Sequence, residues 1–236
     1  MIASEPPGEQ RQPQLPEDAG ALQVLATEHW SLLAMRSLTY SESLSRVSMF
    51  LSVLAGAVIA LALVAQADRF GQTFVLIAIL VLSVVLFIGV ATVVRLEVLN
   101  HDDLRWVMGM NRIRHAYLER HPELEPYFVT TKHDDFIGVS TTLGYERTPT
   151  RGIGQLAHGV QTLPGMVGVV AAVIAGALVA LIADALSAPT ALVVAGAVGA
   201  FLLTMAMIGI WGIRSFLQFR ASHEPRFASE ELPKQQ

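Results

Sequence analysis

The sequence contains four long apolar runs that are free of Asp, Glu, Lys, Arg and His. They occupy residues 47–67, 74–94, 165–183 and 190–213. Each run has the ~20 residues that a helix needs to cross a hydrocarbon layer of roughly 30 Å. A composition of 53% hydrophobic and 15% charged residues also departs from that of soluble domains. The sequence therefore predicts an all-α integral membrane protein, with four transmembrane helices arranged as two hairpins and with cytoplasmic helical extensions.

The basic residues are distributed unevenly around these runs. The two short connections, residues 68–73 and 184–189, contain a single basic residue, Arg69, whereas all other Lys and Arg residues lie in the two terminal flanks and the middle segment. Cytoplasmic loops carry the excess of Lys and Arg. This asymmetry predicts a multi-pass protein of the plasma membrane or inner membrane with both termini in the cytoplasm. The preference for Arg over Lys and the Ala/Val/Gly-rich runs suggest a bacterial source.

These features divide the chain into six segments. Residues 1–20 are rich in proline and acids, which predicts a disordered tail without a cleavable signal, and residues 222–236 are expected to be disordered as well. The segments are a tail (1–20), a cytoplasmic amphipathic helix (21–46), the first hairpin (47–94), a cytoplasmic helical segment (95–163), the second hairpin (164–213) and a cytoplasmic tail (214–236).

Helical periodicity continues beyond the apolar runs on the cytoplasmic side. Before the first run, residues at alternating three- and four-residue steps form an apolar stripe, which predicts one continuous helix from near Ala21 to Ala67 with this stripe facing inward. A second stripe follows residue 95, and Pro122 is expected to end its helix. The first stripe is Ala26, Trp30, Leu33, Ser37, Tyr40, Leu44 and Val47, and the second is Leu96, Leu99, Val107, Met110, Ile113 and Tyr117.

Small residues recur at every fourth position in three of the four apolar runs. Such ridges let helix backbones approach closely, which favours association in lipid. The preferred interpretation is packing within one subunit, and the alternative is contact between subunits. The ridges are Ser48, Ser52, Gly56 and Ala60 in the first run, Gly168, Ala172, Gly176 and Ala180 in the third, and Gly196, Ala200 and Thr204 in the fourth. The second run has no ridge and is expected at the lipid-facing periphery, with Gly89 as its point of close approach.

A His-Asp-Asp triplet occurs twice in the middle segment. Imidazole and carboxylate groups are ligands for zinc, manganese or iron, which makes both triplets candidate metal sites. The preferred interpretation is helix capping, because Asn100 precedes Asp103 by three residues and Thr131 precedes Asp134 by three. The candidate ligands are His101, Asp102, Asp103, His133, Asp134 and Asp135.

Composition and motifs remove most other classes of function. The chain has no cysteine and a net charge of −4 without a basic patch, which argues against cysteine chemistry and nucleic-acid binding. Walker-type loops, dinucleotide fingerprints, HExxH and GxSxG are absent from the sequence. No cofactor is predicted, and the expected partners are the lipid bilayer, further copies of the chain or other membrane proteins.

Three functional hypotheses follow. The leading one is a non-catalytic membrane module that binds partners or itself through its cytoplasmic helices. The alternative is an oligomeric channel or pore, with Ser48, Ser52, Thr92 or Thr204 lining the path. A metal-dependent hydrolase ranks third. The arrangement of a cytoplasmic helix entering a membrane hairpin and leaving as another helix is similar to that of SLATT-type bacterial defence effectors. That resemblance implies a pore, and it transfers no site residues.

Overall fold

The computed structural model describes residues 19–144 and 162–229, and all regular structure in these ranges is helical. The prediction of an all-helical chain with four helices long and apolar enough to cross a membrane is confirmed. The elements are α1 (Ala19–Asp68), α2 (Gln72–Arg120), a 3-10 helix (Pro122–Tyr127), α3 (Phe136–Leu143), α4 (Leu163–Ala185) and α5 (Thr190–Ala221). Residues 1–18 of the predicted N-terminal tail lie outside the described residues.

The first two helices continue well beyond their apolar runs. α1 contains 50 residues, so it is about 75 Å long, and α2 is almost equal to it. The two helices pack along each other. We call residues 19–46 the α1 extension and residues 95–120 the α2 extension. The continuous first helix and the end of α2 ahead of Pro122 agree with the sequence-based prediction.

A tight turn joins α1 to α2. Arg69 and Phe70 have positive φ angles of 51° and 62°. Both residues therefore lie in the left-handed region of backbone conformation, which residues other than glycine rarely adopt. The backbone N–H of Phe74 donates to Asp68 Oδ2 at 2.7 Å, which satisfies one of the free donors at the start of α2. The carboxylate of Asp68 thereby fixes the turn to the second helix.

The second apolar run lies at the centre of the helix packing rather than at its periphery. α2 packs against both α1 and α4, and α5 packs mainly on α4. Val85 is only 2% exposed, and Ala78 and Val93 are also buried. The sequence-based placement was therefore wrong, because the branched side chains of this run fill the space between two neighbours. Gly89 is a close-approach point: a Cβ atom there would lie 3.1 Å from Phe50 Cε2 and 3.3 Å from Ala171 Cβ.

Two buried clusters stabilise the bundle, one mainly among the apolar runs and one around the α2 extension. Burial of such side chains is the main favourable term outside a membrane and supplies close packing inside one. The α2 extension buries the face predicted for it. The first cluster contains Phe50, Val85, Val93, Leu96, Leu99, Val167 and Ile174, and the second contains Leu32, Val107, Met108, Met110, Ile113, Val139 and Phe219.

The α1 extension packs through a different face from the predicted one. Leu32 and Ser43 are buried, whereas Trp30 is 70% exposed and Tyr40 and Leu44 are exposed as well. The predicted stripe is thus rotated by about a quarter turn from the buried face, at 100° per residue. The prediction failed because the extension has apolar residues on more than one side, and periodicity alone does not identify the side that meets α2.

The segment after α5 is ordered as far as the structure describes it, to Ser229. The expectation of disorder from Ser222 onward is therefore wrong for residues 222–229. Backbone N–H groups of Arg226, Phe227 and Ser229 donate to the carboxylates of Asp134 and Asp135. These contacts hold the segment against the loop that precedes α3.

Candidate functional site

The first triplet lies in the middle of α2, where no helix begins. The expected cap of Asn100 with Asp103 is therefore wrong, because the helix continues from residue 72 to residue 120. Arg36 Nε of α1 donates to Asp103 Oδ1 at 2.8 Å. Asp102 pairs with Arg105 on the helix surface at 3.3 Å. His101 stacks on the ring of Phe219, with 4.9 Å between ring centroids. Each side chain of this triplet has a structural contact.

The second triplet lies in the loop before α3, and its last residue is the N-cap. Asp135 Oδ1 accepts from Gly138 N at 2.8 Å, so the cap lies four residues after Thr131, the predicted one. The hydroxyl of Thr131, the expected cap, accepts instead from the backbone N–H of His133. Within the described residues, no group of three or more His, Asp or Glu side chains is arranged to hold a metal ion.

Asp134 accepts hydrogen bonds from two other parts of the chain. Its side chain is fully buried and accepts from Arg112 Nε at 2.6 Å, from Arg226 N at 3.0 Å and from Phe227 N at 2.8 Å. The backbone N–H of Asp134 donates in return to the carbonyl of Phe227. One carboxylate thus joins α2, the α3 loop and the C-terminal segment. We call this set of contacts the Asp134 junction.

Asn111 of α2 also connects this helix to α3 and to the loop before it. Its side chain is fully buried, and Nδ2 donates to the carbonyl of His133 at 2.7 Å. Its Oδ1 accepts from Arg114 Nη1 and from Thr142 Oγ1. A buried amide with several partners fixes the position of the loop relative to α2. The sequence offered no signal for this role, because the partners are 22 and 31 residues away.

Two histidine rings, those of His115 and His133, lie beside the Asp134 junction. His115 stacks on Phe227 with 3.9 Å between ring centroids. Its Nδ1 and that of His133 are buried without a hydrogen-bond partner among the described residues. Burial holds the pKa of His115 below its ordinary value, and the neighbouring carboxylate of Glu119 opposes this shift. The neutral imidazole is therefore the form that the folded protein favours.

Two ion pairs join the extensions of α1 and α2. Besides Arg36 with Asp103, Arg95 donates to both carboxylate oxygens of Glu42 at 3.0 and 3.1 Å. A two-point contact of this kind fixes geometry as well as charge. The Arg95 side chain holds the pKa of Glu42 below its usual range. The pairs set the register of two long helices where their apolar runs end.

The small-residue ridges occupy two different environments. Gly168, Ala172 and Gly176 are buried on α4 against α5, and a Cβ atom on Gly176 would lie 2.9 Å from the carbonyl oxygen of Ala197. Ala180 is half-buried on the same helix. The ridge of the first run points away from the bundle instead. Its members Ser52, Gly56 and Ala60 are exposed, and nothing described lies within 4 Å of a Cβ atom on Gly56.

A cavity of about 910 Å³ lies where the extensions meet the remaining helices. Its walls come from the α1 extension, the middle of α2, α3 and the ends of α4 and α5. Glu97 of α2 contributes a carboxylate, and Tyr40, Phe136 and Phe216 contribute aromatic rings. The sequence carries no local signal for this site, because its residues come from five helices.

Comparisons with protein-family models, with curated proteins and with solved structures find no significant match. The fold itself defines the class: an all-helical protein with four helices that are long and apolar enough to cross a membrane.

Proposed function

We propose that the chain is a multi-pass protein of the plasma membrane or bacterial inner membrane, in which the apolar runs cross as two hairpins. The arginine distribution supports cytoplasmic termini and a cytoplasmic middle segment, since Arg69 is the single basic residue in the two short connections. The ion pairs join the two extensions, and the Asp134 junction lies beside the α2 extension, so this topology would place both sets of charges in the cytoplasm.

Reporter fusions test this topology. Reporters attached at Ser4 and Gln236, or inserted after Gly144, should report cytoplasm. Insertions at Gln72 or Ser187 should report the opposite side, because these positions lie in the short connections. A C-terminal reporter found outside the cytoplasm would mean that one of the four runs does not cross.

We further propose that the protein is a non-catalytic membrane module that assembles with a second copy of itself through the outward side of α1. The observation that carries this proposal is the exposed apolar stripe of the α1 extension, led by Trp30, Tyr40 and Leu44. Contiguous apolar surface on a helix outside the hydrocarbon layer is typical of an interaction site. Tryptophan and tyrosine also rank among the residues that contribute most to binding.

The outward side of the α1 extension continues into the apolar run. One turn after Leu44, the outward side carries Ser48, followed by Ser52 and Gly56, and α1 packs mainly against α2 on its other side. A row of small residues admits the backbone of a neighbouring helix within lipid. The α1 helix of a second copy has the same aromatic stripe and the same row of small residues. In a two-fold dimer, stripe can therefore pack on stripe and small residues on small residues.

The absence of cysteine from the chain permits a direct test by crosslinking. Ser52→Cys is expected to form a disulfide-linked dimer in membranes, because the two α1 helices approach each other at this residue. Ser83→Cys, on an exposed position of α2, is the matched control and should remain monomeric. Trp30→Ser combined with Leu44→Ser should reduce the Ser52→Cys crosslink severalfold.

Two results would contradict self-assembly. Equal crosslinking at Ser52 and Ser83 would indicate random collision. The protein could also stay monomeric at every concentration, copurify with a different membrane protein and lose that protein on Trp30→Ser. This result would mean that the exposed stripe binds a different protein and not a second copy.

The second candidate function is an oligomeric channel. It is favoured by the outward position of Ser48 and Ser52, which an oligomer would place around a shared axis. Thr92 does not support it, because this residue is buried and its hydroxyl donates to the carbonyl of Ile88. Conductance of the purified protein in planar bilayers, reduced by Ser52→Leu, would favour the channel over the scaffold.

A further inference from the structure

The cavity at the base of the extensions has the size and the mixed surface of a ligand site. Its volume of about 910 Å³ falls within the range of about 300–1,000 Å³ that is typical of sites for small molecules. Its wall is largely apolar, and polar groups are gathered toward the α1 and α2 extensions. The apolar lining residues include Leu99, Leu104, Val139, Leu143, Leu163 and Phe216.

The charges of the residues that line the cavity do not sum to zero. Arg36 and Asp103 neutralise each other through their contact at 2.8 Å. Burial holds the pKa of His101 below its ordinary value, and the charge of Arg105 adds to this, so the imidazole is uncharged near neutral pH. Glu97 is the remaining charged group. Its carboxylate has no hydrogen bond or ion pair within residues 19–144 and 162–229.

The surroundings of Glu97 make this carboxylate unusual. It faces α5, where a Cβ atom on Gly212 would lie 3.4 Å from Oε1. Burial raises the pKa of Glu97 above its usual value. A desolvated carboxylate without a partner is costly in the charged form, and a nearby cation removes this cost. The rings of Tyr40 and Phe216 line the same cavity, and aromatic faces attract ammonium groups.

We propose that this cavity binds an amphiphile with an alkylammonium head group, with Glu97 as its counter-ion and the alkyl chain against the apolar wall. An amphiphile is favoured over a water-soluble amine because α2, α4 and α5 leave their apolar runs beside the cavity, so a molecule dissolved in lipid reaches it directly. The proposal takes the membrane position of the apolar runs from the proposed function. Its test does not require assembly through α1, although Tyr40 belongs both to the cavity wall and to the exposed stripe.

Binding is coupled to the protonation of Glu97. The ammonium group favours the carboxylate, so a proton and the ligand compete for the same site. Affinity should therefore fall as the pH is lowered through the pKa of this group. Protonation of His101 at low pH would also repel the ligand, and Arg36, Asp103 and Tyr40 are the other titratable residues that line the cavity. Only the part of the pH dependence that Glu97→Gln removes belongs to the carboxylate.

The test uses the full-length protein in a neutral maltoside detergent with a fluorescent dansyl octylammonium probe. The wild type should show saturable binding at pH 7.5, displaced by octylammonium and not by octyl sulfate or octanol. Glu97→Gln, which preserves volume and removes the charge, should weaken binding at least tenfold. Glu28→Gln removes an exposed carboxylate from the α1 extension outside the cavity, so it should bind as the wild type does.

Thermal unfolding of the same samples separates binding from folding. Because the Glu97 carboxylate is desolvated and has no partner among the described residues, the stability of Glu97→Gln should equal or exceed that of the wild type. Equal probe affinity in the wild type and Glu97→Gln would overturn the proposal, as would displacement by octyl sulfate at the same concentration as octylammonium. Dimer formation through α1 can fail without affecting any of these results.

Discussion

Replacement of Asp134 should release the C-terminal segment from the rest of the protein. The carboxylate is fully buried and accepts three hydrogen bonds, one of them from the guanidinium of Arg112. Bonds that involve a charged group contribute about 1.5–3 kcal/mol each, and breaking a buried pair costs about 3–5 kcal/mol. The Arg112 side chain remains 37% exposed and can be rehydrated. We therefore expect Asp134→Ala to cost about 3 kcal/mol, near the lower end of that range.

Hydrogen exchange measures this effect where it arises. The amides of Arg226 and Phe227 should exchange at least tenfold faster in Asp134→Ala, because both lose their acceptor, while amides in the middle of α2 should keep their rates. Asp134→Asn retains one acceptor oxygen and should show about half of the loss in free energy. Asp102→Ala, which removes a surface pair, is the control and should cost less than about 1 kcal/mol. Equal effects of Asp134→Ala and Asp102→Ala would refute the junction.

Three further predictions concern packing, pH and capping. Gly176→Ala should destabilise the α4–α5 contact by about 1–3 kcal/mol in thermal unfolding, because its Cβ meets a backbone oxygen, whereas Gly199→Ala, with open space around it, should be neutral or slightly stabilising. Burial lowers the pKa of His115, so the unfolded chain takes up a proton at a higher pH than the folded protein does. The free energy of unfolding should therefore fall as the pH drops below about 6.5. His115→Phe should keep the ring contact with Phe227 and remove the part of this fall that His115 causes. Asp135→Ala should cost at least the ~0.5–2 kcal/mol of a lost helix cap, because it also removes the acceptor of the Ser229 N–H, as measured by denaturation of the protein in detergent.

The sequence was sufficient for features that depend on near neighbours. Apolar length predicted the four long helices, and the missing N–H and fixed φ of Pro122 predicted the end of α2. The buried face of the α2 extension was also predicted, because Leu96, Val107 and Ile113 belong to its one apolar stripe. In each case the physical cause acts over a few residues of the same helix.

Features that depend on which helix lies alongside were not predictable in the same way. The α1 extension has apolar residues on several sides, so the stripe that includes Trp30 was assigned to the wrong face. The branched side chains near Val85 indicated a lipid-facing helix, although they equally suit a central one. The role of Asp134 was missed because its backbone donors are 92 and 93 residues away.

That separation along the chain has a consequence during synthesis. Asp134 leaves the ribosome long before Arg226 and Phe227, and at about 5–20 residues per second the interval is roughly 5–20 seconds. During this time α4 and α5 must emerge and enter the membrane while the carboxylate still lacks its backbone donors. Docking of the C-terminal segment is thus a late step that depends on correct insertion of the last two helices. A chain whose last helix is misplaced keeps an exposed acidic loop, which distinguishes it from a correctly folded one.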